Sequence, residues 1–556
     1  MKDVVKIIPL AGMDESIKDL VAIDINNDIY IINVGASFPD KSKPGIDYVI
    51  PNFDYLIENK DRVKGYFITR GHDCEFAGLL FLYDKVPAPI YVTKTTRLFM
   101  ESLCVHRHID KKKFNFVMVE PSSTLTVAGR EIALFSTCCN VSDSYGVAIW
   151  TDGGYIVYSD NFVIDTNYDP GFITNTSSMV HIADKGILLL MVEADGSEII
   201  GYASPKYKLV PQIERIVKDA PGKIVVAIDA PDVYNIAQTA KLMQKHHRRI
   251  FAFDSVSREQ IMYLGATGLV KFGRDDIGSI DDINHYRAKD VCVLISGFGT
   301  KFYEKIKNFS SSTCDSIFKL SDNDTFIYGS HTSTFDESEY TESVDELYRT
   351  GCNVVYFSKK NYSKMHAAEE DIKAIINIFK PKYLLPVHGT FKELLACAKL
   401  AVNMGVGLSH HNVFIMDNGM ILEINEQKAF IHPEKVPSDN RYIDGRTIGS
   451  LASSVMEERQ VFSDGVIILG ATVSKSQRQI VGGPDIQMRG LVYVKESENL
   501  LKEIQTIFIS NIKSCLAKTI FSKTEAELNT KEQAFRAVRR TTLKSPMIIP
   551  IIAVIE

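Results

Sequence analysis

Short apolar runs separated by polar breaks dominate the first 200 residues. DIYIINVGA (28–36), VKGYFITR (63–70), APIYVTK (88–94), GVAIWTDGGYIVYSD (146–160) and ILLLMVEA (187–194) read as strands with helices between them. Asp152-Gly153-Gly154 splits two alternating runs and predicts a hairpin. From about 205 strands and helices alternate: KIVVAIDA (223–230), a helical stretch to His247, RIFAFDS (249–255), another helix, then VCVLISG (291–297). That alternation predicts a parallel-sheet α/β module. CNVVYF (352–357) begins a return, and a helix over 369–379 precedes YLLPVHG (383–389). HPEKVPSDNRYIDGRT (432–447) is polar, with two prolines and a glycine, and reads as a linker. The last 100 residues give strands GVIILGATVS and RGLVYVK, then helices at about 496–520 and 525–541.

At roughly 100–200 residues per domain, a 556-residue chain holds three or four. With 45% hydrophobic and 24% charged residues it is an ordinary globular composition, neither disordered nor too small for a core. The net charge of −6 makes any nucleic-acid site a local patch, not a global field. The start lacks a secretory pattern, and no run reaches ~18 apolar residues, so no membrane span is expected. Nine scattered cysteines without a CxxC pair point to a reducing cytoplasm.

Candidate chemistry centres on YFITRGHDCEFAGLLFL (66–82). There a buried strand ends in Thr69, ligand-type residues follow, and a helix starts. Polar side chains at a strand's C-terminal end suit a metal or anion site.

Together with GASFPDKSKPGIDYVIPNFDYL (35–56), RVKGYFITRGH (62–72), NVSDSYGVAI (140–149), FKPKYLLPVHG (379–389), FSDGV (462–466), GGPDIQMRGLVYV (482–494) and the PMIIPII tail, this segment resembles ribonuclease J. That family comprises metallo-β-lactamase-fold nucleases of the β-CASP group. The resemblance implies an α/β fold: an αββα metallo-β-lactamase sandwich with an inserted β-CASP α/β domain and a small C-terminal α+β domain. The expected limits are 1–204 for the first part of the sandwich, 205–352 for the β-CASP domain, 353–430 for the second part of the sandwich, 431–450 for a linker and 451–556 for the C-terminal domain. It also implies RNA processing and decay, by endonucleolytic cutting and 5′-to-3′ trimming.

The family's chemistry uses two metal ions that activate water and stabilise displacement at phosphorus. Its ligand motif, Thr-His-x-His-x-Asp-His, stands here as Thr69-Arg70-Gly71-His72-Asp73-Cys74-Glu75. The next histidine falls on Cys139, the bridging aspartate on Asp160, the aspartate of an early Asp-Ala-Gly on Asn33, and the late Pro-Val-His-Gly is intact at His388. The first metal would therefore meet Arg70, His72, Cys139 and Asp160. Arginine has no lone pair to give and stays protonated. The second would meet Cys74, Glu75, Asp160 and His388, all able to ligate zinc. Two readings follow: one zinc at most, or none, with Arg70 paired to Asp160 or Glu75.

The family's phosphate-binding motif falls on Tyr362-Ser363-Lys364-Met365-His366-Ala367, leaving Lys364 and His366 as candidate RNA contacts. Its Gly-rich loop falls on Ser296-Gly297-Phe298-Gly299-Thr300-Lys301, which reads equally as a plain strand-to-helix turn. Basic clusters stand at Lys245–Arg249 and at Arg536, Arg539 and Arg540, and His106 and His108 form an H-x-H. The expectation is a degenerate ribonuclease J paralogue, weak or inactive alone. It would be a subunit or RNA-binding partner of an active ribonuclease J, as a homo- or hetero-oligomer. The alternative is an active single-zinc RNA hydrolase.

Overall fold

The computed structural model describes residues 3–15, 17–38, 46–165, 169–310, 318–330, 337–358, 361–426, 428–444, 447–449, 465–489, 497–518, 521–542 and 544–556. The chain forms two compact units, Met1–Ser37 with Ile50–Asp439, and Phe38–Val49 with Asn440–Glu556. No helix among the described residues is long and apolar enough to cross a membrane.

The first unit holds two facing sheets. One has eight strands, in the order Ala429–Lys435, Met420–Ile424, Val5–Ala11, Leu20–Ile25, Asp28–Ile32, Val63–Phe67, Ile90–Val92 and Phe116–Met118. The other has six, in the order Tyr383–Val387, Ile187–Glu193, Tyr155–Ser159, Ser144–Ile149, Arg130–Thr137 and Thr124–Val127. Ile7, Ile23, Tyr30, Ile32 and Phe67 from the first pack with Leu134, Tyr145, Tyr158 and Met191 from the second in one buried core. Helices Thr176–Ala183, Glu369–Phe379 and Phe391–Asn403 pack with the six-stranded sheet, and Lys94–His106 packs against Ile90–Val92. This is the four-layer αββα sandwich.

Local sequence explains the helices that frame the site. Glu369–Phe379 opens on Glu369, Glu370 and Asp371, which suit the positive end of a helix, and buries Ile372, Ile375, Ile376 and Phe379 along one stripe. Phe391–Asn403 starts at Thr390, whose N–H and hydroxyl both donate to Glu393, each at 2.8 Å.

The inserted module is a six-stranded sheet in which every pair is parallel, as strand–helix alternation requires. The Asp152–Gly154 break does join the antiparallel strands Ser144–Ile149 and Tyr155–Ser159.

In the second unit Val466–Ser474 pairs antiparallel with Gln479–Arg489 and parallel with Met547–Ile555. Helices Ser497–Leu516 and Lys523–Thr542 bury Ile504, Phe508, Ile512, Ala534 and Val538 with Ile467, Leu469 and Val473 of that sheet.

The stretch read as a linker is a correction. It carries strands Ala429–Lys435 and Arg441–Asp444. Ala429–Lys435 is the outermost strand of its sheet and buries little, so its composition imitates a linker. Most of the FSDGV motif and of the RGLVYVK strand lie outside the described residues.

Candidate functional site

Topology gathers the site at one edge of the sandwich. Asp28–Ile32 and Val63–Phe67 run parallel, so Asn33 and Thr69-Arg70 leave on the same side. Tyr155–Ser159, Ile187–Glu193 and Tyr383–Val387 also run parallel, delivering Asp160, Glu193 and His388 together. Leu20–Ile25 runs antiparallel to its neighbours, so Asp19 at its start joins the same edge. Left-handed backbone concentrates there: Asn33, Asp143, Asn161 and His388 have φ of 56°, 56°, 49° and 52°. Such conformations cost free energy and persist where the surroundings impose them.

Residues 69–76 are pinned by backbone. The carbonyls of Asp73, Cys74 and Glu75 accept from the N–H groups of Ala36 (3.0 Å), Asp19 (3.0 Å) and Val34 (2.7 Å). A Cβ on Gly35 would stand 1.6 Å from the Cys74 carbonyl oxygen and 2.7 Å from the Asp19 nitrogen. Both are backbone atoms and cannot swing aside. Gly35→Ala should therefore lower stability by about 3–5 kcal/mol, in the exceptional range for one substitution. A urea melt of the purified variant checks this, and a change under 1 kcal/mol contradicts it.

Arg70 is buried, and its Nη2 lies 2.7 Å from Glu75 Oε1, while Nη1 donates to Asn140 Oδ1 at 2.9 Å. Burial opposes the charge on Arg70, but Glu75 and its neighbours outweigh it and hold the guanidinium protonated. Burial likewise pushes the Glu75 carboxyl up. Arg70, with help from His72, overcomes that and keeps it well below the usual carboxylate range. His72 Nδ1 accepts from the Cys74 N–H at 3.2 Å and lies 3.4 Å from Glu75 Oε2.

Cys139 is a buried thiol donating to Ser144 Oγ at 3.1 Å, with burial raising its pKa. The half-buried Cys74 thiol is pushed up by desolvation and by Glu75. Zinc ligation takes the thiolate, so either cysteine would have to give up its proton to bind the ion.

Opposite them, His388 Nδ1 lies 2.9 and 3.0 Å from the two Asp19 oxygens and 3.7 Å from Asp160 Oδ2. Burial would lower the His388 pKa, but Asp160 and Asp19 raise it well above its ordinary value. Burial, with Asp160 and Glu75, pushes Asp19 up to about 8. The pair thus holds an extra proton as a unit. Asp160 Oδ1 and His388 Nε2 are buried without a hydrogen-bond partner among the described residues.

Two sets of three ligand-type side chains bring their ligand atoms within 4.8 Å of one another among the described residues. They are Asp19, Asp160 and His388, and Asp195, His366 and His388. Neither includes His72, Cys74, Glu75 or Cys139. The donor set fits one divalent cation at Asp19, Asp160 and His388, where two buried polar atoms lack partners. It does not fit a second ion beside the Arg70 guanidinium.

The Lys364–His366 segment is anchored by Glu193. That buried carboxylate accepts from the N–H groups of Ala367 (2.5 Å) and Asn161 (2.7 Å), and lies 3.4 Å from His366 Nδ1. The His366 and His388 rings stack at 6.1 Å. Burial opposes the charge of Asp195, and His366 and then Lys364 hold it below the usual carboxylate range. Lys364 itself is exposed, whereas Tyr362 is buried and donates to the Gly329 carbonyl at 2.9 Å.

Asp19, Glu193 and Asp195 escape sequence reasoning. Glu193 and Asp195 carried a signal, since they are acidic groups closing an apolar strand, whereas Asp19 carried none.

His106 ends a helix and His108 follows it at φ of 54°, and both are exposed surface histidines. In Lys245–Arg249 the Arg248 guanidinium is buried among the carbonyls of Gly222, Val217 and Ala220 and adds nothing to a surface patch, whereas Lys245 and His247 are exposed. Ser296–Lys301 is a strand-to-helix turn, with Gly299 at φ of 49°.

Comparison with known proteins agrees with this architecture. Residues 454–555 match the Ribonuclease J C-terminal domain family, and residues 361–416 match the Zn-dependent metallo-hydrolase RNA specificity domain family. Ribonuclease J 2 of Staphylococcus epidermidis is 28% identical over 550 residues, which is 99% of this chain and 98% of that protein. Ribonuclease J 2 of Staphylococcus aureus gives the same identity over the same shares. Over nearly its whole length the chain is similar to ribonuclease J proteins. A crystal structure of a protein of unknown function from Enterococcus faecalis V583 shares the fold, with TM-score 0.51 and 14% identity over 76% of this chain and 100% of that one. The 361–416 match contains Lys364, His366 and His388.

Proposed function

We propose that this chain is a degenerate ribonuclease J: an RNA-binding subunit or partner of an active ribonuclease J, with little or no nuclease activity alone. The observation that carries the reading is the buried Arg70–Glu75 ion pair at 2.7 Å. It sits where the family resemblance puts ligands of both metals. A guanidinium there repels a dication and donates no lone pair. Phosphoryl transfer depends on positioning and on stabilising charge at the developing oxyanions, and both would fail together. What remains is binding: Glu193 holds the His366–Ala367 backbone in place, and the exposed Lys364 offers a point charge to a phosphate. The reading places the protein in the cytoplasm, with RNA and a second ribonuclease J-type chain, its own or a paralogue's, as partners.

A specific observation favours a second reading, a single-zinc RNA hydrolase. Asp19, Asp160 and His388 would hold the ion, and Asp160 Oδ1 and His388 Nε2 are left without a partner among the described residues. Bound there, zinc would act as a Lewis acid on a phosphoryl oxygen.

One experiment separates them: elemental analysis of purified full-length protein, with cleavage of 5′-monophosphorylated RNA measured in manganese and magnesium. The expected result is at most one equivalent of metal and no cleavage above background. Two retained equivalents, or robust cleavage abolished by His388→Ala or Asp160→Ala, sinks the degenerate reading.

A further inference from the structure

An open cavity of about 580 Å³ in the C-terminal unit is lined by Glu532, Phe535, Arg536, Arg539 and Arg540. All five lie on helix Lys523–Thr542, the three arginines and Phe535 in its C-terminal half. Positions 536, 539 and 540 are spaced i, i+3 and i+4, which puts three guanidinium groups on one helical face. Ala534, Ala537 and Val538 turn the other way and are buried.

The arginines are free to take an outside partner. Arg536 and Arg540 are 74% and 71% exposed, and their partners Glu532 and Glu503 are exposed too. Exposed pairs of this kind are weak and exchange readily. Arg539 is exposed and has no ion pair among the described residues. A second opening in the same unit, about 490 Å³, is lined by Arg478 and Lys513 with no acidic residue. Residues 501–556 carry nine Lys and Arg against five Asp and Glu, in a chain whose total is −6. The local field therefore favours anions against the sign of the whole molecule.

Guanidinium forks match phosphate oxygens bidentately, and a shallow, open cavity admits a backbone passing across it. Phe535 in the lining offers an aromatic surface to a base. We propose that this arginine face is a second RNA-contact surface, remote in sequence from the strand-end cluster. It grips the phosphate backbone of single-stranded RNA without sequence preference. The proposal rests on the reading above that the chain handles RNA.

The test uses the full-length chain and a fluorescently labelled single-stranded RNA of about 20 nucleotides, followed by anisotropy over a salt series. Each phosphate contact contributes about 0.7 to the slope of log affinity against log salt for single strands. The R536Q/R539Q/R540Q variant should lose about 2 from that slope, and R536K/R539K/R540K should keep it. Arg539→Glu, which breaks no ion pair in the described residues, should lose about 0.7 with an unchanged circular dichroism spectrum, so the result survives misfolding of the triple variant.

Wild-type binding with unchanged slopes in the variants overturns this inference and leaves the proposed function standing. Absence of any RNA binding by the wild type overturns both. A thermal shift with inorganic phosphate alone, without an RNA effect, marks a free-anion site and overturns the RNA assignment. So does an unchanged RNA slope with altered mass in sedimentation, which would assign the face to a protein partner.

Discussion

Replacing Arg70 with methionine should destabilise the chain by about 3–5 kcal/mol at neutral pH, because it leaves Glu75 as an uncompensated buried charge. Glu75 is fully buried and owes its ionised state to Arg70 first and His72 second. The pH dependence follows from the sign of its shift. In the wild type the folded pKa lies below the unfolded value of about 4.3, so the stabilisation is fully present above that value. It is lost as pH falls through the lower folded pKa. In the variant burial acts unopposed by Arg70 and the folded pKa moves upward, so the deficit shrinks as acid neutralises the carboxyl. The double variant Arg70→Met/Glu75→Gln should recover most of the loss at pH 7. Urea unfolding of the three variants at pH 7 and pH 5 measures this. A single variant as stable as the wild type at pH 7 would show that the ion pair does not hold the site together.

Restoring the family's ligand pattern should make folding depend on metal. In Arg70→His/Cys74→Asp/Glu75→His/Cys139→His the carboxylate gained at 74 replaces the one lost at 75, and the built-in cation is gone, so Asp160 and Asp19 lose a buried countercharge. Without metal this variant should be less stable than the wild type. Manganese at about 100 times its dissociation constant should return about 2.7 kcal/mol per site. Two equivalents should remain after dialysis. Arg70→His alone should bind no second ion and restore no cleavage, since the three other positions stay unrepaired. A wild type that loses two ions and several kcal/mol on chelation would contradict the whole picture.

The parts of this picture that sequence could reach are those carried by local pattern. Strand–helix alternation after residue 205 gave a parallel sheet because crossover helices demand it. The stripe at Ile372, Ile375, Ile376 and Phe379 set the helix before His388 within a residue at either end. Family spacing brought Arg70, Glu75, Asp160 and His388 to one place. What escaped was set by tertiary packing. Asp19 lies 369 residues from His388 and follows a lysine in a polar stretch, so nothing local marks it. Cys74 looked like a ligand by alignment, yet the ligand sets the fold assembles run through Asp19 and Asp195. Arg248 looked like surface charge until the turn at His247, with φ of 55°, sent it inward to backbone carbonyls.

Pairing between strands far apart in sequence has a consequence for biosynthesis. Val5–Ala11 is hydrogen-bonded on one side to Met420–Ile424, with Val5 opposite Ile424. Among the described residues the open edge of Ile187–Glu193 is closed by Tyr383–Val387. At about 5–20 residues per second, the first strand emerges from the ribosome roughly 20–80 s before its partner. Between synthesis of Glu193 and of Tyr383 the nascent sandwich presents two unpaired strand edges, an invitation to aggregate. The buried charges of Asp19, Arg70, Glu75 and Asp160 are all synthesised before His388, so their cluster is completed last. Ribosomal pausing, holding chaperones or an early-folding inserted module between residues 205 and 350 would shelter those edges. Messages truncated upstream of codon 388 should yield protein that is degraded, not merely inactive.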